Sequence, residues 1–374
     1  MVISSQLDFI QNAKLGYNKD FVVTFPTFSE GEAAQSILDR LRIELNSESS
    51  VLNISGHAFE MGQSWLYINI DENGSNTYLI GEDITTSGYT SNLEESSVYF
   101  YTNFVDERYI PTLGIKLLEG RNFSKEHPSD KSEAIVINET AARMMNLENP
   151  VGSKLPRGFK DAFIVGVVED FHYYPLHRKI EPLVLHMNGI SNMTSVRHIS
   201  AHLSSNNVSL ALEKLKDTWQ RVTGGIPFEY KFLDERVGEQ YANELRWKKI
   251  VNYSSMVSIL VTCLGLFGLT SLAVVKRSKE IAIRKVLGAS TASIISALTK
   301  EFILLVGVAN IIAWPLAFYM MNNWLTNFTF RIKIGLGLFL AAGLISLSIA
   351  LATLSYHAIK AASANPVDSI QTDQ

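Results

Sequence analysis

The chain has a single cysteine, Cys263, so it can close no disulfide on itself and has no cysteine pair for a zinc or dithiol motif. No GxxxxGK[ST] segment occurs, which excludes a Walker A nucleotide site. HExxH and GxSxG are missing too, so neither a zincin nor an α/β-hydrolase nucleophile is encoded. A net charge of −4 supplies no basic surface for nucleic acid, and no cofactor is implied.

Charge itself is scarce in the last third. Ile250–Val275, Phe302–Phe330 and Ile334–Tyr356 contain no Asp, Glu, Lys or Arg. Each run is longer than the roughly 20 residues with which a helix crosses about 30 Å of hydrocarbon. Three such runs in succession predict membrane helices at about 250–275, 300–322 and 334–356. Gly265 with Gly268, Gly337 with Ala341 and Ser346 with Ala350 have the small-residue spacing of close helix packing. Pro315 is expected to kink the second span.

Basic residues are unevenly shared between the loops. Lys276, Arg277, Lys279, Arg284 and Lys285 follow the first span, whereas only Arg331 and Lys333 lie between the second and third. The positive-inside rule puts the first loop in the cytoplasm and residues before 250 outside. An outer domain of that size requires export, and Met1–Ile10, interrupted by Asp8, is neither signal nor span. A transmembrane helix upstream of Met1 is therefore expected, with residues 1–20 as the remnant that follows it.

Residues 21–233 have ordinary globular composition. Phe21–Phe25, Trp65–Ile70, Val98–Val105, Ala134–Asn138, Ala162–Val168 and Pro182–His186 have strand character. Glu32–Leu45 shows helical periodicity through Ala33, Ile37, Leu38, Leu41 and Leu45; Glu139–Leu147 and Val208–Val222 add two more helices. Without a regular βαβ alternation, the fold class is an α+β extracytoplasmic domain followed by an all-α three-helix transmembrane region. Residues 234–249 read as a helical stalk running into the first span, and 359–374 as a cytoplasmic tail. His172, His177, His186, His198 and His202 suit no standard metal spacing, and Asp106, Glu107, Glu169 and Asp170 read as loop and strand-end charges.

The loop at 276–291 is the most informative segment. On a helical wheel Arg277, Arg284 and Lys285 share one arc, opposite Ala282, Ile283, Val286 and Leu287. Gly288 is placed to end this helix, and Ser290 or Thr291 to cap the next. Such a helix suits lipid headgroups and a groove on a protein partner equally well.

Arg277-Ser278-Lys279-Glu280-Ile281-Ala282-Ile283-Arg284-Lys285-Val286-Leu287-Gly288-Ala289-Ser290 resembles the motif between two spans of FtsX/MacB-type ABC transporter permeases. Ala364-Asn365-Pro366-Val367-Asp368-Ser369-Ile370 is similar to their terminal motif. Leu113–Ile115, Glu119–Phe123, Ile137–Ala142, Asn149–Gly152 and Val165–His172 are similar to signatures of their periplasmic domain.

The resemblance implies a MacB-like periplasmic core, an FtsX-like membrane domain at 250–358, and a place as the C-terminal half of a tandem permease lacking its preceding span. It implies a non-catalytic subunit of the bacterial inner membrane that passes the motion of a cytoplasmic ABC ATPase to a periplasmic domain. Its partners would be that ATPase, a second permease unit and membrane lipid. Efflux of antibiotics or peptides, lipoprotein release or cell-envelope work would be its output. Carried over to this chain, Arg277, Lys279, Glu280, Arg284 and Lys285 would make polar ATPase contacts, Ile281, Ile283 and Leu287 would fill a groove, and Gly288 would hinge the segment. The alternative is a membrane-anchored sensor or binding module without ATP coupling.

Overall fold

The computed structural model describes residues 2–11, 13–63, 65–70, 76–80, 98–154, 162–187, 196–277, 280, 283–284, 287–326 and 328–363. They form two compact units, one of residues 12–242 and one of residues 1–11 with 243–374.

The first unit is built on two sheets. A four-stranded antiparallel sheet has the order β11-β1-β10-β2, from β1 (Val22–Pro26), β2 (Val51–His57), β10 (His198–Leu203) and β11 (Lys231–Phe232). Its apolar face is covered by α2 (Gly31–Leu45) and α6 (Val208–Thr223). Asn207 caps α6 by accepting the Leu210 N–H, and Gly224, at φ +71, ends it in the left-handed region that favours glycine. Ala211, Leu215, Trp219 and Val222 then meet Ala34, Ile37, Leu38 and Leu41 of α2. The α2 stripe starts at Ala34, not at the expected Ala33, which is exposed. Truncating the fully buried Trp219 to alanine would cost about 3–5 kcal/mol.

The second sheet is mixed and seven-stranded, ordered β4-β3-β5-β9-β7-β8-β6. Its strands are β3 (Leu66–Ile70), β4 (Asn76–Ile80), β5 (Val98–Phe104), β6 (Leu117–Gly120), β7 (Ala134–Asn138), β8 (Phe163–Val168) and β9 (Leu183–His186). The β5–β9 and β7–β8 pairs are parallel and the others antiparallel. Short helices α3 (Tyr109–Thr112), α4 (Asp130–Glu133) and α5 (Glu139–Met144) connect them. Trp65, Tyr101, Tyr109, Phe171 and Tyr173 fill the core on one side; Phe100, Ile135, Ile137 and Ile164 line a smaller core beneath α5. An α+β unit is thus present, as the strand and helix patterns imply.

The expected stalk helix is interrupted. Helix α7 (Leu233–Glu239) stops before Gln240 and Tyr241, and a new helix, α8 (Ala242–Lys276), begins. The break has a local cause: the Tyr241 hydroxyl accepts the Leu176 N–H at 2.8 Å and its ring stacks on His177, so the side chain is held within the first unit.

The second unit contains α8, α9 (Thr291–Leu325) and α10 (Leu336–Ser363), together with α1 (Val2–Gln11). Among the described residues, three helical stretches are long and apolar enough to cross a membrane: Ala242–Leu272, Ile303–Leu325 and Leu336–Thr353. Pro315 lies inside a continuous α9. Of the expected small residues, Ser346 and the buried Ala350 lie on the face of α10 turned to its neighbours, while the glycines do not mark the close approach. A Cβ on Gly265, Gly268 or Gly337 would meet nothing, whereas one on Gly343 would lie 2.9 Å from Trp314 Cζ2. Asn310 donates to Val306 O at 2.8 Å and to Ser346 Oγ at 3.3 Å, which ties α9 to α10 by a polar contact inside the apolar stretch.

Candidate functional site

Among the described residues, two places stand out for their chemistry. The first is the segment after α8. Glu280, Ile283 and Arg284 are helical, and Arg284 pairs with Glu280 at 2.5 Å across one turn. Gly288, at φ +90, closes the turn: Leu287 N–H donates to Ile283 O at 3.0 Å and Ala289 N–H to Arg284 O at 2.9 Å. These bonds satisfy carbonyls that a helix end leaves open. Ser290 then caps α9 by accepting the Ser293 N–H at 3.2 Å. Ile283 and Leu287 are 58% and 81% exposed, so an apolar edge lies open beside the ion pair. Arg277 is half-buried at the end of α8. Lys279, Ile281 and Lys285, and the terminal motif from Ala364 to Ile370, lie outside the described residues.

The second place lies on the polar face of the four-stranded sheet. Glu60, in the connection from β2 to β3, is buried, and four groups converge on its carboxylate. Thr24 Oγ1 donates at 2.8 Å and Gln63 Nε2 at 2.9 Å; Arg236 Nη1 of α7 is at 2.6 Å and His198 Nε2 at 3.6 Å. His57 stacks on His198 with ring centroids 5.9 Å apart. Burial pushes the His57 imidazole down to about 3. Being neutral, it donates through Nδ1 to Phe59 O at 3.0 Å and accepts the Ser200 hydroxyl at Nε2, 2.8 Å away. Burial likewise lowers His198, against the pull of Glu60. The cation that neutralises Glu60 is therefore Arg236.

A second buried pair joins α2 to the end of β5. Arg42 Nη2 lies 2.6 Å from Asp106 Oδ2, each side chain 7% exposed, and Arg42 Nη1 reaches Glu107 at 3.4 Å. Asp106 also accepts the Gly56 and Arg108 N–H groups. Burial raises its carboxyl to about 6, although Arg42 pulls it down. Asp106 and Glu107 are thus not plain loop charges but converge on one guanidinium, and Asp170 binds Arg143 at 2.5 Å; Glu169 is the expected strand-end surface charge, 3.8 Å from Lys116. The histidines do not converge: His186 lies on β9 against Phe104, His177 stacks on Tyr241, and His198 and His202 are on β10. Among the described residues no three His, Cys, Asp or Glu side chains are grouped to hold a metal ion.

Sequence reasoning missed Glu60, His57 and Arg236. A lone Glu before Met61-Gly62 has no periodicity to mark it, and Arg236 reads as one charge of a charged helix. The one available signal was Thr24, a polar residue in an otherwise apolar β1.

The membrane helices and the sheet unit each match a known domain. Residues 253–366 match the FtsX-like permease C-terminal family, and residues 68–207 the MacB-like periplasmic core domain. The chain belongs to the FtsX/MacB-type ABC transporter permeases. This permease is 24% identical over 304 residues to the "Macrolide export ATP-binding/permease protein MacB" of Neisseria meningitidis serogroup A, covering 78% of this chain and 46% of that protein. It is 23% identical over 302 residues to the protein of the same name from Neisseria gonorrhoeae, with the same coverage of each. The permease thus spans about half the length of the curated relatives it matches. Among solved structures it is similar to the periplasmic region of MacB from Actinobacillus actinomycetemcomitans (TM-score 0.38, 15% identity, 61% of this chain and 95% of that one). It is also similar to the extracellular domain of the transporter YknZ (TM-score 0.35, 12% identity, 56% and 97%).

Proposed function

We propose that this chain is the permease part of an ABC system in which a cytoplasmic ATPase, on a separate chain, moves the membrane helices and thereby the sheet unit. The sheet unit is periplasmic, the membrane is the bacterial inner membrane, and a second permease unit completes the assembly, bathed in lipid. Supporting this reading above all is the segment around Arg284. Its exposed Ile283 and Leu287, set beside an ion pair, form the kind of amphipathic ridge that enters a groove on a partner. It lies between the first and second spans of the FtsX-like domain, on the loop that charge bias assigns to the cytoplasm. Contacts to the ATPase are assigned to Arg277, Lys279, Glu280, Arg284 and Lys285, with Ile281, Ile283 and Leu287 in the groove. The relatives are named for macrolide export, which makes a macrolide the cargo class to test first.

The test is charge reversal at Arg284 and Lys285 in the full chain, co-expressed with its cognate ATPase. Stimulation of ATP hydrolysis is expected to disappear while membrane insertion stays intact. Undiminished stimulation in the inserted variant rejects the reading.

A further inference from the structure

Helix α7 ends two residues before the first membrane helix begins; it packs on β1 and β11, with Lys231 of β11 paired to its Glu239, and its Arg236 reaches the segment that follows β2. Arg236 binds Glu60, and a Cβ on Gly62, whose φ is +78, would overlap Gln240 Nε2, so Gln240 lies directly against that glycine. Tyr241 follows with its bond to Leu176 N–H. Residues 58–63 and Trp65 lie between the last strand residue of β2 and the start of β3, and they are tied to both sheets. The Glu60 carboxylate takes Thr24 of β1, and the Glu60 carbonyl accepts Trp65 Nε1 at 2.8 Å, next to the start of β3. Phe59 exchanges two hydrogen bonds with the Asn103 amide of β5, at 3.1 and 2.9 Å.

We propose that the Arg236–Glu60 pair is a joint, built so that displacement of α7 is delivered to both sheets at their crossing rather than absorbed by a loose connection. Arg236 and Glu60 are positioning residues, and the proposal rests on the permease reading for what moves α7. Three features favour a joint over ordinary docking. The ion pair is largely desolvated, with side-chain exposures of 18% and 3%, so it resists separation more than a surface pair does. The carboxylate is shared with β1, so α7 cannot leave without disturbing that strand. Finally, Gln240 and Tyr241 fasten the two residues after α7 to the same body, leaving no slack before Ala242.

The experiment is hydrogen exchange on the full chain in lipid nanodiscs, without ATPase. Arg236→Gln is expected to speed exchange at least tenfold in three places together: residues 233–239, 58–63 and 198–202. Amides of α2 and α6 should keep wild-type rates. Arg236→Lys restores protection to within about threefold of wild type. Because a single neutralisation strands a buried carboxylate, Glu60→Gln/Arg236→Gln is measured as well; it should keep the fold and still loosen all three segments. Loosening of α7 alone, with 58–63 unchanged, overturns the joint, as does no change in either variant. Failure of the Arg284 and Lys285 test with a positive exchange result rejects the permease reading and leaves the joint standing.

Discussion

Gln6 and Ile332 lie 326 positions apart, yet the Gln6 side-chain oxygen accepts the Ile332 N–H at 2.9 Å. The same amide donates to Phe330 O at 2.9 Å, so one buried side chain satisfies two backbone groups in the turn between the second and third membrane helices. Residues 2–11 therefore work as a helix of the membrane unit, with Asp8 3.7 Å from Lys248 of α8.

Replacing Gln6 by leucine leaves both backbone groups unpartnered, a loss of about 2 kcal/mol. Exchange at Ile332 in nanodiscs should rise at least tenfold, with helices α9 and α10 unaffected in their middles. An unchanged rate at Ile332 would show that the contact does not form.

The Arg42–Asp106 pair should behave as a buried ion pair. Arg42→Met strands the carboxylate and should cost about 3 kcal/mol in urea denaturation of segment 12–242. Arg42→Met/Asp106→Asn should recover a large part of that loss, because the side-chain oxygen of the introduced amide still accepts from backbone N–H groups. Equal losses in the single and double variants would contradict the pairing.

His57 predicts a specific acid sensitivity. Its folded-state value, about 3, lies below the ordinary 6.5, so the unfolded chain takes up the proton first. Its contribution is fully present above 6.5 and is lost as pH falls toward 3. Between pH 7 and pH 5 the loss is about 2 kcal/mol. Asp106 acts oppositely: with its carboxyl raised to about 6, the folded state binds the proton first and gains about 1 kcal/mol over the same interval. His57→Asn keeps a donor for Phe59 O and an acceptor for Ser200. The stability gap between wild type and this variant should therefore shrink by about 2 kcal/mol from pH 7 to pH 5. A pH-independent gap would refute the assignment.

Gly288→Val tests the cap of the coupling segment. A β-branched residue at φ +90 costs about 1–2 kcal/mol, which depopulates the capped turn about tenfold. Stimulation of the cognate ATPase should fall by about that factor, with normal insertion. Full stimulation would show that the turn geometry is not used.

Much of the architecture was legible because it depends on local pattern. Val98–Phe104, Ala134–Asn138 and Leu183–His186 stand out as β-branched or aromatic runs, and α2 and α6 as helical stripes. Less visible were β2, β10 and β11. Val51–His57 mixes Asn, Ser, Gly and His among its apolar residues, because one face of its sheet is polar and buried, with α3 over β2 and β10 and α7 over β1. The break at Gln240–Tyr241 was invisible too, since nothing in QYANEL opposes a helix; only the hold on Tyr241 does.

From the chain of residues alone came the division between water and lipid, the three spans, the basic segment between the first two, and the family. All of these follow from solvent preference and short-range spacing, which composition records directly. Tertiary structure decided which charges matter. Glu60 with Arg236, Arg42 with Asp106, and Gln6 with the backbone at Ile332 are pairs distant in sequence. Their strength comes from burial, and burial belongs to the folded whole rather than to any segment.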